Sequence, residues 1–171
     1  MFKEIEIKSV LSLPYKLIDI DKGEEHFVFA FKCFDEKQSD YSIQMGGATG
    51  KFEVIYRCCG IESQFECDIT IGNVYDFYIQ LSNAYEIHFG NDTIANLKNY
   101  GNILTRTDLT FNLDNKGHCT IIGSFKNKGN LYKSGIEFEI EIDQTYIPKI
   151  LASCDFFFKE LTRIQGHDTF Y

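Results

Sequence analysis

Residues 136–142 alternate without a break: Ile136, Phe138, Ile140 and Ile142 are separated by Glu137, Glu139 and Glu141. A strand sends successive side chains to opposite faces, so this run buries one face and presents three carboxylates on the other. A helix would scatter the same residues around its circumference. The pattern recurs in Phe65, Cys67, Ile69 and Ile71, which alternate with Glu66, Asp68 and Thr70. Two strands of this kind commit the chain to half-buried sheet with an acidic outer side.

Other segments follow the same period. Residues 2–8 read as a strand with Phe2, Glu4 and Glu6 on one face and Ile5 and Ile7 on the other. Residues 19–26 read as a turn-rich acidic loop, and the apolar run 27–34 as a central strand. Tyr41 to Met45 and Lys51 to Cys58 give two more strands, joined by Gly46-Gly47-Ala48-Thr49-Gly50. Leu109 to Leu113 and His118 to Phe125 flank Asp114-Asn115-Lys116-Gly117, a strong hairpin signal.

The period changes twice. Val74, Phe77, Tyr78, Leu81 and Tyr85 fall on one face of a helix over about 73–85, with Asn73 placed to cap it. Ile147, Ile150, Leu151, Cys154, Phe157, Phe158, Leu161 and Ile164 form the apolar stripe of a second helix over about 144–164. Asp143 can cap this helix, and Pro148 sits in its first turn, where a missing N–H costs little. Residues 90–107, punctuated by Asn and Gly, read as loop with a possible short helix. The expected fold is therefore α+β, about eight mostly antiparallel strands with two helices packed on them. At 171 residues, with no linker, low-complexity segment or internal repeat in the sequence, one domain over 1–171 is expected.

Composition narrows the function. Seventeen basic against 25 acidic residues leave a net charge of -8, which argues against nucleic acid as a direct partner because phosphate binding needs a basic patch. The start, Met1 to Lys8, is charged and has no apolar core of a secretory signal, and no run of 18 apolar residues suggests a membrane span. A cytoplasmic protein without membrane contact is expected. The six cysteines (33, 58, 59, 67, 119, 154) lack a C-x-x-C pair and sit mostly in predicted strands and a helix, so they read as reduced thiols rather than zinc ligands.

No catalytic, metal or cofactor motif stands out. Gly46 to Lys51 has three residues between its outer glycines and Phe52 after the lysine, which does not make a phosphate-binding loop. The four histidines (26, 88, 118, 167) lack metal spacing and a neighbouring nucleophile. No cofactor and no catalytic residue are expected. The acids are more informative. Glu66, Asp68, Glu137, Glu139 and Glu141 would form one patch if their strands were neighbours. Asp19, Asp21, Glu24, Glu25, Asp35, Glu36 and Asp40 give residues 19–40 seven acids against three lysines. A solvated face explains such a distribution, and so does steering toward a basic partner.

A resemblance favours the second reading. Phe77-Tyr78-Ile79-Gln80-Leu81, Tyr85-Glu86, the Gly117-His118 hairpin with Gly123, and Leu131 leading into Ile136 to Ile147 resemble the WapI family of bacterial immunity proteins. Asp143-Gln144-Thr145-Tyr146-Ile147, the junction of last strand and last helix, is its most specific piece. The likeness spans roughly 73–161, and the first 70 residues match no named family. It implies a cytosolic antidote that binds a cognate basic toxin domain, often a nuclease, and blocks its active or substrate-binding site. The acidic positions above would then be the partner-binding residues. The alternative is a small-molecule-binding or enzymatic domain with an aromatic-lined pocket.

Overall fold

A computed structural model describes residues 11–35, 48–87, 93–99, 105–127 and 134–165. Four strands, β1 (Tyr15–Asp21), β2 (Glu25–Phe34), β3 (Thr49–Cys58) and β4 (Ile61–Thr70), form an antiparallel sheet in that order. Helix α1 (Ile71–Ile87) follows. A second antiparallel sheet then runs β5 (Thr93–Asn99), β6 (Thr105–Leu113), β7 (His118–Asn127) and β8 (Gly135–Asp143), again in chain order. A single 3-10 turn, Gln144–Tyr146, leads into α2 (Ile147–Gln165). Among the described residues the order ββββα thus occurs twice, a repeat of topology that the sequence does not display.

The expected α+β class holds, with eight strands and two helices among the described residues, but the strands divide between two sheets. β1 occupies residues assigned in part to an acidic loop: Leu17, Ile18 and Ile20 are buried while Asp19 and Asp21 point out. β5 and the start of β6 occupy the stretch read as loop. Ile71 opens α1 instead of ending β4. The expected strands at 2–8 and 41–45 lie outside the described residues, as do Gly46 and Gly47; Thr49 to Lys51 belong to β3.

Inner faces of both sheets meet in one apolar cluster. Phe27, Phe29, Phe31 and Phe52 project from the first sheet, and Phe111, Phe125 and Phe138 from the second, all buried. Phe138 joins them, with ring centroids 4.7 Å from Phe27 and 4.6 Å from Tyr56. Its cross-strand neighbour is Gly123. A Cβ there would lie 2.3 Å from the Phe138 ring, so the ring occupies the space a larger residue would need. The helices extend this core: Phe77 of α1 meets Phe111 at 5.3 Å, and Phe157 of α2 meets Phe31 at 5.1 Å.

Local chemistry sets the boundaries. Thr70 Oγ1, not Asn73, accepts at the start of α1, from Asn73 N at 3.4 Å, while the Asn73 amide donates to Lys98 O at 3.1 Å on β5. Gln80 Oε1 accepts from Asn96 N at 3.0 Å, so α1 satisfies part of the free edge of β5. Asp143 caps as expected, its Oδ1 accepting from Thr145 N at 2.8 Å. At the β6–β7 hairpin, Asp114 Oδ1 accepts from Lys116 N and His118 N, both at 2.8 Å, and Gly117 takes φ +88.

Candidate binding surface

The acidic positions do not converge. Glu66 and Asp68 stand on β4 in the first sheet, and Glu137, Glu139 and Glu141 on β8 in the second, so the five-carboxylate patch on one sheet does not form. Most of these acids are also neutralised in place. Lys32 and Lys51 pair with Glu66, Lys51 lies 3.7 Å from Asp68, and Lys126 pairs with Glu137. Lys32 holds the Glu66 carboxyl below its ordinary pKa, and Lys126 does the same for Glu137.

The first acidic cluster behaves similarly. Asp19 receives Lys16 and His26, each at 2.7 Å. Burial pushes the Asp19 carboxyl up, and the hydrogen bonds from Lys16 and His26 outweigh it, leaving the group below its ordinary value. Asp21 Oδ1 accepts from Gly23 N at 2.8 Å in the β1–β2 turn, and Glu25 accepts from Tyr56 Oη at 3.0 Å. Glu24 is exposed in that turn, and Asp35 follows β2 with its N–H donated to Thr49 O. Glu36 and Asp40 lie outside the described residues. A concentrated field of seven acids is therefore replaced, among the described residues, by charges distributed in local pairs.

The outer face of the first sheet mixes charged and uncharged positions: Asp19, Val28, Ile55 and Gln64 form one row, and Lys16, Ala30, Glu53 and Glu66 the next. Val28 and Ala30 sit on it yet are only 3% and 2% exposed, flanked across the strands by Asp19, Glu53 and their neighbours. Long charged side chains cover apolar surface in this way.

The second sheet differs. Its register aligns Ile94, Asn112, Thr120 and Glu141 in one outer row, and Asn96, Thr110, Ile122 and Glu139 in the next. Six adjacent positions on β5, β6 and β7 are therefore uncharged. Ile94 and Ile122 remain 56% and 43% exposed at their two corners. The following row, Lys98, Asp108, Ser124 and Glu137, is charged again, and exposed Glu139 and Glu141 bound the far side on β8. Among the described residues these two glutamates make no ion pair. An uncharged, partly apolar centre within a charged rim is the anatomy of a recognition surface. Sequence reasoning missed this face because β5 was not read as a strand. The signal was present in the alternation Ile94-Ala95-Asn96-Leu97-Lys98.

The remaining chemistry is local. Among the described residues, no group of three His, Cys, Asp or Glu side chains is placed to hold a metal ion. His118 is exposed and pairs with Asp114 at 3.1 Å. His88 and His167 lie outside the described residues. Burial pushes the thiols of Cys67, Cys119 and Cys154 up to about 12. The aromatic side chains expected to line a pocket pack on one another instead: Phe29 stacks on Phe52 at 4.9 Å, and Phe158 lies 5.7 Å from Tyr78. Among the described residues, no helix is long and apolar enough to cross a membrane.

No family model and no curated protein matches the chain. Solved structures with a partial likeness to it include three at low identity. WHY3 from Arabidopsis thaliana is 11% identical, with 86% of this chain and 89% of that one covered at a TM-score of 0.49. WHY1 from the same plant is 10% identical over 81% and 80%, at 0.44. The plant transcriptional regulator PBF-2 is 11% identical over 86% and 81%, also at 0.44. None of the three is described as an immunity protein or toxin inhibitor. The expected antidote function, with a cognate basic toxin domain as partner and no direct nucleic acid, is corrected: the steering patch on which that mechanism relied is not assembled, its acids being divided between the two sheets.

Proposed function

We propose that this chain is a non-catalytic recognition module that binds a macromolecular partner on the outer face of its second sheet. The uncharged six-position centre bounded by Ile94 and Ile122 carries the reading. A folded chain keeps such a face open at a cost in exposed apolar surface, and a docked partner recovers it. Among the described residues no wall rises beside this face to enclose a metabolite, whereas a macromolecule covers it. The thiols of Cys67, Cys119 and Cys154 are buried and held protonated, and His26 and His118 are each engaged by an aspartate at the surface.

The reading includes a reducing, cytoplasmic setting, which suits six free cysteines, three of them buried inside the core. It also includes a single domain, since both sheets contribute to one apolar cluster. The WapI resemblance over 73–161 enters at the level of fold alone. It falls on α1, the second sheet and most of α2, the unit that carries the proposed face.

Fully burying an isoleucine is worth roughly 1.5–3 kcal/mol, so the exposed halves of Ile94 and Ile122 together offer about 2 kcal/mol to a partner. The test compares affinity capture from native cells by the wild-type chain, by the Ile94→Asp/Ile122→Asp double variant and by Ile61→Asp. Ile61 is 72% exposed at the far β3–β4 hairpin and serves as the control. Wild type and Ile61→Asp retain the same bound species, and the double variant loses it by at least about tenfold. Retention by the double variant, with its thermal melt unchanged, overturns the assignment.

A further inference from the structure

Cys58 and Cys59 are the one adjacent pair among the six cysteines. They stand where β3 turns into β4: Cys58 is paired with Ile61, and the two residues between, Cys59 and Gly60, both have positive φ, +52 and +80. This is the two-residue hairpin turn with both central residues left-handed. Asn, Asp or Gly fill its first position without penalty, whereas another L-residue there costs roughly 1–2 kcal/mol. The chain places a cysteine in that strained position, on an exposed tip, beside a second cysteine.

The sulfurs are brought together. The Cys58 thiol donates to Cys59 Sγ at 3.5 Å. Adjacent Cα atoms across a trans peptide stand about 3.8 Å apart, short of the roughly 4.4–6.8 Å that disulfides span. A sulfur–sulfur distance of 3.5 Å instead suits two bonds to one intervening atom. Two sulfurs each about 2.3 Å from a shared three-coordinate pyramidal centre, with about 100° between the bonds, lie about 3.5 Å apart. The neighbouring groups supply no third ligand, as no three-residue metal cluster exists among the described residues. A closed structural metal cage is thus not formed, and the pair fits a centre that brings its own remaining substituent.

We propose that the Cys58–Cys59 hairpin tip is a bidentate dithiol site for a trivalent arsenical, a thiophilic centre that takes two sulfurs and keeps one organic group. In the binding step two As–S bonds form and the arsenic–oxygen bonds of an arsenoxide break. The oxygen leaves as water with the two thiol protons, and arsenic remains trivalent, so no oxidant or reductant is required. The hydrogen bond with Cys58 raises the pKa of the Cys59 thiol, keeping a proton that the leaving oxygen needs. Single buried thiols such as Cys67, Cys119 and Cys154 present neither access nor a partner sulfur at the surface.

The probe is phenylarsine oxide at one equivalent, read by intact mass and by the titre of free thiols. The wild-type chain gains one phenylarsenic group and loses two titratable thiols. A monothiol competitor leaves the adduct in place, and a small dithiol removes it. Cys58→Ser and Cys59→Ser each weaken the adduct at least tenfold, while Cys33→Ser leaves it intact. Cys59→Asn is the second variant: asparagine suits the left-handed turn, so this chain keeps its fold and still loses the adduct. An adduct that survives in Cys59→Asn, or a wild-type chain that takes none, overturns the site.

Discussion

Gly123 is the position where the packing of the two sheets is least tolerant. Replacing it with alanine puts a methyl carbon 2.3 Å from Phe138 Cζ, with the two Cε atoms at 2.5 and 2.8 Å. The ring cannot swing aside, because Phe27 and Tyr56 stand 4.7 and 4.6 Å from its centroid, and Phe125 flanks it at 6.3 Å. Overpacking of this kind costs about 1–3 kcal/mol. For a chain of this size each kcal/mol lowers Tm by about 2–4 °C, so Gly123→Ala falls by roughly 2–12 °C. Phe138→Leu, which trims the ring, costs on the order of 1–2 kcal/mol alone through lost buried area. Combined, the two are non-additive: the leucine vacates the space the methyl needs, and the double variant melts close to Phe138→Leu, a coupling of at least about 0.5 kcal/mol. Thermal and urea denaturation of the four proteins reads this directly. A double variant whose loss equals the sum of the single losses refutes the account of the sheet interface.

Three further outcomes follow from the same geometry. The Asp19 carboxyl titrates below its ordinary value near 3.8, so its ion pairs add stability above that pH and lose it as pH falls through the lower folded-state pKa. Asp19→Asn therefore lowers the urea midpoint at pH 7 and narrows the difference between pH 7 and pH 3, and an unchanged pH profile counts against these pairs. Ellman titration at pH 8 modifies the accessible thiols of Cys33, Cys58 and Cys59 and leaves Cys67, Cys119 and Cys154 unreacted until denaturant is added, because burial holds those three thiols near 12. Prompt reaction of all six in native buffer disproves that burial. Asp143→Ala removes the acceptor for Thr145 N and lowers Tm, whereas Asp143→Asn, which retains an oxygen acceptor, recovers most of the loss.

Much of the architecture was legible because burial on one face imposes a period. β4 and β8 alternate so regularly that no other structure accommodates them, and the stripe from Ile147 to Leu161 is buried as a helix requires. The turn at Asp114 to Gly117 followed from turn chemistry alone. Misreadings came where polar residues obscured the period. Asp19 and Asp21 made β1 resemble a loop, though they are simply its outward positions. Asn96 and Asn99 did the same for β5, whose edge is satisfied by Gln80 and Asn73 from α1, a contact distant in sequence.

The division into two sheets was not legible, since strand order depends on which edges α1 and α2 cover. The acids illustrate the same limit for the site. Their number is a property of sequence, but Lys32, Lys51 and Lys126 reach them only across strand pairings. The uncharged face emerges solely from register, which aligns Ile94 with Asn112 and Thr110 with Ile122.

Site-specific photo-crosslinking tests the central claim most directly. A benzophenone amino acid is placed at position 122, at one corner of the face, and in a parallel chain at position 116, exposed at the β6–β7 turn. Irradiation of living cells yields one discrete adduct from position 122 and none from position 116, and protease and nuclease digestion identify its class. The adduct disappears when Ile94→Asp is added. Equal labelling from both positions, or an adduct from 116 alone, contradicts recognition through the second sheet.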